Sequence, residues 1–138
     1  MITAVDTNIL IDILEPDPVH GLRSKEALKK CLQEGAVVAC DVVWAEMATA
    51  YGNNQNDLVE ALRAMRISFS AMSMEAALGA ARSWHTYRRR GGGRDRIAAD
   101  FLIGGHAAVQ CDRLLTRDRG FYRKHFTHLT VVPAAGDG

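Results

Sequence analysis

Apolar residues along the chain follow two alternating patterns. Short runs rich in valine, leucine and isoleucine have the length of buried strands and predict strands at residues 2–5, 36–40, 67–69, 113–116 and 129–132. Between them, apolar residues recur every three or four positions, which predicts helices at about residues 9–14, 22–33, 42–51, 57–65, 74–87, 97–109 and 120–125. This alternation is typical of an α/β sandwich around a mostly parallel sheet of about five strands, which is the fold we expect.

Polar side chains stand at the predicted helix starts, where they accept hydrogen bonds from free backbone amides. We expect Asp6 and Asp41 to cap the helices that follow them, and Ser73 to open the fifth helix. In that fifth helix the spacing predicts one apolar face, made of Met74, Ala77, Leu78, Ala81 and Trp84.

Length and composition predict one globular domain over residues 1–138, with 48% hydrophobic and 24% charged residues. No apolar run reaches the roughly 18 residues of a membrane span. The first residues also lack the basic start and long apolar stretch of a signal peptide, so we expect a cytoplasmic protein without membrane contact. The cysteines, Cys31, Cys40 and Cys111, are odd in number and are not spaced like zinc ligands, which predicts buried thiols.

Charge is spread unevenly, although the net charge is only +1. Residues 1–81 hold six Lys and Arg against eleven Asp and Glu, net −5, whereas residues 82–128 hold eleven against four, net +7. The basic half predicts an anionic partner. Its densest part indicates either an RNA-binding segment or a helix end with solvated charge, and its arginines are Arg88, Arg89, Arg90, Arg94 and Arg96.

Four acidic residues stand where α/β folds place their sites, near the carboxyl ends of strands. Asp6 directly follows the first predicted strand, and Asp118 closely follows the fourth. Glu46 and Asp100 lie inside apolar helical stretches, where a carboxylate without a partner is costly. Each has a plainer interpretation: Asp6 as a cap, Asp118 as a turn residue, and the two helical acids as partners of arginines. Together they favour a metal site.

The chemistry of such a site is that of a hard cation. Mg²⁺ prefers carboxylate and water oxygens, and the chain lacks a cluster of cysteines or histidines that would favour zinc. Clustered carboxylates repel one another, so they need a cation or a shared proton at neutral pH. Metal ions in such sites ionise a water and stabilise charge at phosphorus, which predicts phosphodiester hydrolysis.

Four segments occur in order over nearly the whole chain. They are Val5-Asp6-Thr7-Asn8-Ile9-Leu10, then Glu46 after the second strand, then Asp100-Phe101-Leu102-Ile103-Gly104-Gly105-His106-Ala107, and last Leu114-Leu115-Thr116-Arg117-Asp118. This set resembles PIN-domain nucleases, and among them the VapC-type toxins of prokaryotic toxin–antitoxin pairs.

The resemblance implies a PIN-like three-layer sandwich, dependence on Mg²⁺ or Mn²⁺, and endonucleolytic cleavage of tRNA, rRNA or mRNA that inhibits translation and growth. It also implies a homodimer and a cognate antitoxin that blocks the site. The acids that match the catalytic and metal-binding positions are Asp6, Glu46, Asp100 and Asp118. The polar residues that match the supporting positions are Thr7, Asn8 and Thr116. Asp95, just ahead of the third segment, is an open alternative to Asp100.

Three alternative functions make different demands on the same residues. A haloacid-dehalogenase-like phosphatase also has an aspartate after its first strand, but it needs a second one where this chain has Asn8. A response-regulator receiver needs a lysine after a late strand, and residues 113–118 and 129–133 contain none. A non-catalytic PIN fold that only binds RNA is the remaining alternative, which the presence of all four acids disfavours.

Overall fold

The chain folds around one parallel β-sheet, seen in a computed structural model that describes residues 1–93 and 98–132. The strands are β1 (Ile2–Val5), β2 (Ala36–Cys40), β3 (Ile67–Ser70), β4 (Arg113–Leu115) and β5 (Val131–Val132). Within the described residues they lie side by side in the order β3-β2-β1-β4-β5, and every neighbouring pair is parallel.

Seven helices in the same residues connect and flank the strands. They are α1 (Thr7–Leu14), α2 (Gly21–Glu34), α3 (Asp41–Tyr51), α4 (Gln55–Ala64), α5 (Met74–Arg89), α6 (Ala98–Gln110) and α7 (Arg119–His125). The predicted α/β class with a mostly parallel sheet of about five strands is confirmed. The predicted start of the sixth helix, Ile97, falls outside the described residues. No helix in the described ranges is both long and apolar enough to cross a membrane.

The central strand, β1, is bordered by β2 on one side and β4 on the other. Ala4 is the Cα partner of Val38 in β2 and of Leu114 in β4, and both partners are apolar. The backbone N–H of Asp6 donates to the carbonyl oxygen of Leu115 at 3.0 Å, so the ladder extends one residue past the strand. Because β1 and β4 are parallel, the residues that follow them leave the sheet at the same edge. The candidate site is built there.

Two of the three predicted helix starts are confirmed. The side chains of Asp6 and Ser73 each accept a backbone N–H from the first turn of the following helix. The prediction that Asp41 caps α3 is wrong, because β2 runs directly into the helix and Cys40 occupies the cap position. Asp41 is instead the first helical residue, where its negative charge still favours the positive end of the helix dipole.

The buried face of α5 agrees only in part with the apolar face that the spacing predicted: Trp84 packs against the core, but Ala81 is exposed. Met74 and Leu78 are 79% and 53% exposed, whereas Ala76 and Ala80 are buried. Gly105 of α6 lies against these two alanines: a Cβ atom on it would come 2.7 Å from the carbonyl oxygen of Ala76 and 2.8 Å from the Cβ of Ala80. Small residues on both helices therefore set a close contact, and this contact decides which face of α5 is buried.

We expect Gly105→Ala to lower the free energy of unfolding by about 1–3 kcal/mol, because the added methyl group forces α5 and α6 apart. Gly79→Ala, on the facing helix, is the matched control. The nearest atom to a Cβ there is 3.5 Å away, at the end of the Arg82 side chain. That substitution is expected to stabilise by about 0.5–1 kcal/mol through helix propensity. Urea denaturation measures both, and equal stability of the two variants would contradict the close contact.

Candidate functional site

Asp6 is a buried carboxylate, 6% exposed, at the carboxyl end of β1. Its Oδ1 accepts a hydrogen bond from the backbone N–H of Thr7 at 2.7 Å. Its Oδ2 accepts one from the hydroxyl of Thr116 at 2.7 Å and a longer one from the side-chain amide of Asn8 at 3.3 Å. The three polar residues that matched supporting positions in the sequence therefore all contact this one carboxylate.

Thr116 joins the ends of β1 and β4. Besides donating to Asp6, its Oγ1 accepts the backbone N–H of Asp118 at 3.0 Å and the amide of Asn8 at 3.4 Å. The Oδ1 of Asn8 accepts the backbone N–H of Arg117 at 3.2 Å. This network fixes the backbone that carries Asp118 relative to the carboxylate of Asp6.

An ion pair with a buried carboxylate connects the loop between β4 and α7 to α1 and α2. Asp12, 2% exposed, accepts hydrogen bonds from Nε and Nη2 of Arg117 at 2.6 and 2.9 Å, which is a bidentate contact. The hydroxyl of Ser24 donates to the same carboxylate at 2.6 Å. This pair was not predicted from sequence, although the sequence contains a signal for it. Asp12 interrupts the apolar pattern of α1 in the same way as Glu46 interrupts that of α3.

Glu46 is half-buried, since one side of α3 faces solvent, so it is less desolvated than its apolar helical stretch predicted. Its Oε1 accepts the hydroxyl of Thr7 at 2.7 Å. Among the described contacts its partner is this neutral hydroxyl rather than the arginine of the plainer interpretation. Because Thr7 follows Asp6 in the chain, the hydrogen bond keeps Glu46 near Asp6.

Tyr122 of α7 marks the place where the other acids converge. Its side chain is 1% exposed. Burial, together with the negative charges of Asp6, Asp100 and Asp118, raises the pKa of its hydroxyl. These charges act on one hydroxyl, so the three carboxylates lie near it. Tyr122 was not predicted from sequence, where its available signal was its place one helical turn after Asp118.

Burial also acts on Asp6, where it raises the pKa of the carboxyl group from 3.8 to about 6. The hydrogen bonds from Thr116 and Thr7 oppose this rise, and the negative charge of Asp100 adds to it. Asp6 and Asp100 are therefore close enough to disfavour each other's charge.

The donors around this point suit a hard divalent cation. Asp6, Glu46, Asp100 and Asp118 offer only carboxylate oxygens. Within residues 1–93 and 98–132, no three His, Cys, Asp or Glu side chains form a group that would hold a metal ion on their own. Mg²⁺ does not need such a cage, because it keeps several waters and binds through one or two carboxylates. A nearby positive charge would also favour the ionised form of Asp6, so the residues fit the cation.

The predicted basic segment is placed only in part. Arg88, Arg89 and Arg90 lie at the end of α5 and are exposed. The remaining residues of this prediction, together with the alternative third acid, lie outside the described residues, and they are Arg94, Arg96 and Asp95.

A cavity of about 320 Å³ opens between the end of α5 and α7. Arg90, Lys124 and His125 line it, together with the glycine turn that ends α5. In that turn Gly91 has a φ of 84°, and the N–H of Gly92 donates to the carbonyl oxygen of Tyr87 at 2.9 Å. His125 stands one helical turn after Tyr122, so the cationic cavity and the acidic residues lie near opposite ends of α7.

Comparison with known proteins points to one family. The family profile described as PIN domain matches residues 3–126 of the chain. Among curated protein sequences, none matches the chain significantly.

Several solved structures share the fold over nearly their whole length. VapBC2 from Rickettsia felis, bound to a DNA fragment from their promoter, has a TM-score of 0.75 at 17% identity, covering 97% of this chain and 99% of that one. FitAcB from Neisseria gonorrhoeae has a TM-score of 0.66 at 25% identity, covering 95% and 96%. A toxin–antitoxin complex from Klebsiella pneumoniae has a TM-score of 0.61 at 20% identity, covering 94% and 95%.

The raised pKa of Asp6 predicts how stability depends on pH when no cation is present. The folded state keeps this proton up to a pH of about 6, whereas the unfolded chain releases it near pH 3.8. The folded state therefore binds more protons between these values, and the free energy of unfolding falls as pH rises through them. A shift of about two pKa units corresponds to a fall of about 3 kcal/mol in the free energy of unfolding.

Urea denaturation in a chelator, at a pH of about 4.5 and of about 7, measures this dependence. We expect Asp6→Asn to remove most of the fall, because an amide does not titrate. Asp57→Asn, at an exposed position on α4, is the control and should keep the wild-type slope. Equal slopes in wild type and Asp6→Asn would contradict the raised pKa.

Proposed function

Because the chain belongs to the PIN domain family, we propose that it is a ribonuclease dependent on Mg²⁺ or Mn²⁺ and the toxin of a toxin–antitoxin pair. One observation carries the proposal. The hydroxyl of Thr116 joins the carboxylate of Asp6 to the backbone of Asp118 at the edge of the sheet where β1 and β4 end. The negative charge of Asp100 acts on the same carboxylate. Carboxylates gathered in this way suit cation-assisted hydrolysis of a phosphodiester bond.

Each acid has a role in the proposed site. The cation would bind among Asp6, Glu46, Asp100 and Asp118, directly to one or two of them and to the others through its waters. Thr7, Asn8 and Thr116 keep Asp6 and Glu46 in fixed orientations. When bound, the cation supplies an activated water and stabilises the charge that develops at phosphorus.

The acids also explain why the reaction would depend on a cation. An RNA phosphate carries a negative charge, and the four carboxylates repel it. Burial of Asp6 strengthens this repulsion, because water screens a buried charge less than an exposed one. The four carboxylates therefore repel the RNA phosphate from the site until the positive charge of a bound cation offsets their negative charge.

The basic end of α5 supports RNA as the anionic partner. Arg88, Arg89 and Arg90 are exposed, and Arg90 shares the cavity beside α7 with Lys124. Exposed cations that release counterions from phosphates supply most of the sequence-independent affinity for nucleic acids. The same role for Arg94 and Arg96 stays a prediction from sequence.

An antitoxin is the proposed protein partner, as the solved toxin–antitoxin complex with the same fold suggests. A second cavity, of about 480 Å³, lies between α2 and the end of α4 and suits such a partner. Leu28, Leu32 and Met65 give it an apolar floor, and Lys25 and Lys29 stand among its lining residues. An apolar segment with acidic flanks complements that surface. The homodimer stays a prediction from the resemblance.

The reaction is tested with variants that keep side-chain shape and remove charge. We expect Asp6→Asn and Asp100→Asn to lower the rate of RNA cleavage by more than about 100-fold, because loss of outer contacts to a metal site alone costs 10–100-fold. Glu46→Gln and Asp118→Asn should lower it less. Cleavage of a labelled RNA in Mg²⁺ or Mn²⁺ gives the rates, and induction in bacteria shows whether growth arrest follows them.

Asp57→Asn is again the folded control and should cut RNA at the wild-type rate. Asp95→Asn should lose little RNA-cleavage activity if Asp100 is the third acid. Folded Asp6→Asn and Asp100→Asn proteins that cut RNA at the wild-type rate would refute the proposed site. RNA binding without cleavage in the wild type would favour the non-catalytic PIN module.

The arginines are tested by the salt dependence of RNA binding. Replacing Arg88, Arg89 and Arg90 with Ala should weaken binding of a labelled RNA and reduce the slope of log Kd against log salt by about two to three, since each lost phosphate contact reduces it by roughly 0.7–0.9. The fold should survive, because the three side chains are exposed. The double variant Arg63→Ala with Arg66→Ala, on another surface, is the control. An equal slope in the wild type and in the triple variant would mean that the end of α5 carries only solvated charge.

A further inference from the structure

Two aromatic rings form a corner in the cavity of about 320 Å³ between the end of α5 and α7. Tyr87 and His125 both line this cavity, and their ring centroids lie 5.1 Å apart with the ring planes at 89° to each other. A flat ligand that stacks on one ring therefore presents its edge to the other. Nucleobases, which are planar and have polar edges, match a corner of this kind.

Packing against the core holds the two rings of the corner in place. The ring of Phe101, a buried residue, lies 5.3 Å from that of Tyr87 and 5.8 Å from that of His125. Gly92 also lies directly against Tyr87, because a Cβ atom on this glycine would come 2.6 Å from the ring. The corner is thus formed before a ligand binds, which lowers the entropic cost of binding.

Positive charges stand beside the aromatic corner. Arg90 and Lys124 line the same cavity, and both are exposed, so each can reach a phosphate of a bound strand. Cations near the ends of helices also have a plainer role, since they offset the negative ends of helix dipoles. That role explains the two charges but not the aromatic corner next to them. Proteins bind single-stranded nucleic acids by combining such stacking rings with cations that contact phosphates.

The cavity lies a short distance from the acids of the proposed site. His125 ends α7 and Asp118 precedes its first residue, which corresponds to about 10 Å along the helix axis. Phe101, which packs under the corner, directly follows Asp100 in α6. An RNA strand covers about 10 Å in a few nucleotides. A strand with one phosphate at the acids can therefore place a nearby base in the cavity.

We propose that this cavity is a subsite for one unpaired nucleotide of the RNA. Its base stacks in the corner of Tyr87 and His125, and its phosphate is held by Arg90 and Lys124. The inference rests on the proposed function, because it concerns the same substrate. The base is unpaired because a base inside a duplex has its faces stacked on its neighbours. By holding this base, the subsite fixes which phosphate of the strand lies at the acids.

Photocrosslinking locates the bound base. Iodouracil, which crosslinks on irradiation to aromatic side chains that it contacts, replaces one base at a time in a short single-stranded RNA. Each RNA is irradiated with full-length Asp6→Asn protein in Mg²⁺, so that the strand stays intact, and mass spectrometry identifies the crosslinked residue. We expect one position of the RNA to crosslink to Tyr87 or His125. Crosslinks that fall only on other residues overturn the subsite.

Affinity measurements in a chelator test the corner in the wild-type background. Removing the base at the crosslinked position, which leaves an abasic nucleotide, should weaken binding of the RNA to wild type by about 10-fold. His125→Leu removes one wall of the corner, so the same abasic change should weaken its binding little. His128→Leu, at an exposed position outside the cavity lining, is the matched control and should show the wild-type loss. Equal losses in wild type and His125→Leu overturn the proposal.

The outcomes separate this inference from the proposed reaction. The expected crosslink and abasic effect, in a wild type that cuts no RNA in Mg²⁺ or Mn²⁺, refute the ribonuclease and support the subsite. Cleavage by a protein that gives no crosslink to Tyr87 or His125 supports the ribonuclease and overturns the subsite. A protein that binds no RNA refutes both.

Discussion

Burial of one carboxylate, Asp6, is the constraint on which the arrangement of this edge of the sheet depends. A charge in the interior is tolerated only when donors surround it. Thr7 and Asn8 supply donors from the start of α1, and Thr116 supplies one from the end of β4. These donors belong to different segments, so the requirement ties β1, β4 and α1 together. A slip of β4 by one residue would turn Thr116 to the other face of the sheet and leave Asp6 without its shortest side-chain contact.

The fold was predictable because its signals are local. Strands such as Ala36–Cys40 are short apolar runs, and most helices have a regular spacing of apolar residues. The edge at which Asp6 and Asp118 leave the sheet was predictable for a related reason. Parallel strands bring the residues that follow them to one edge, so two acids far apart in sequence were expected to be near each other, whereas Thr116 was expected only from the family resemblance.

What the sequence did not reveal depends on contacts between distant segments. The pairing of Asp12 with Arg117 needs α1 and the loop after β4 to meet, and no spacing in the chain encodes that distance. Tyr122 looks like an ordinary apolar residue of a short helix, because two of the acids whose charges act on it, Asp6 and Asp100, belong to distant segments. Part of the buried face of α5 was mispredicted because hydrophobicity favoured Met74 and Leu78, whereas the close approach of a glycine on α6 selects the small residues.

The pair between Asp12 and Arg117 has a consequence for how the two halves of the molecule communicate. Asp12 lies on α1 and accepts a hydrogen bond from Ser24 of α2. It also forms a bidentate ion pair with Arg117, the residue just before Asp118. Ile13, the next residue after Asp12, lines the apolar cavity beside α2. A partner that displaced α1 by binding in that cavity would therefore move Arg117 and the backbone beside Asp118 without touching the acids. If the proposed cation binds at the acids, thermodynamic linkage would make this effect reciprocal, and the cation would change the affinity of the partner by the same factor.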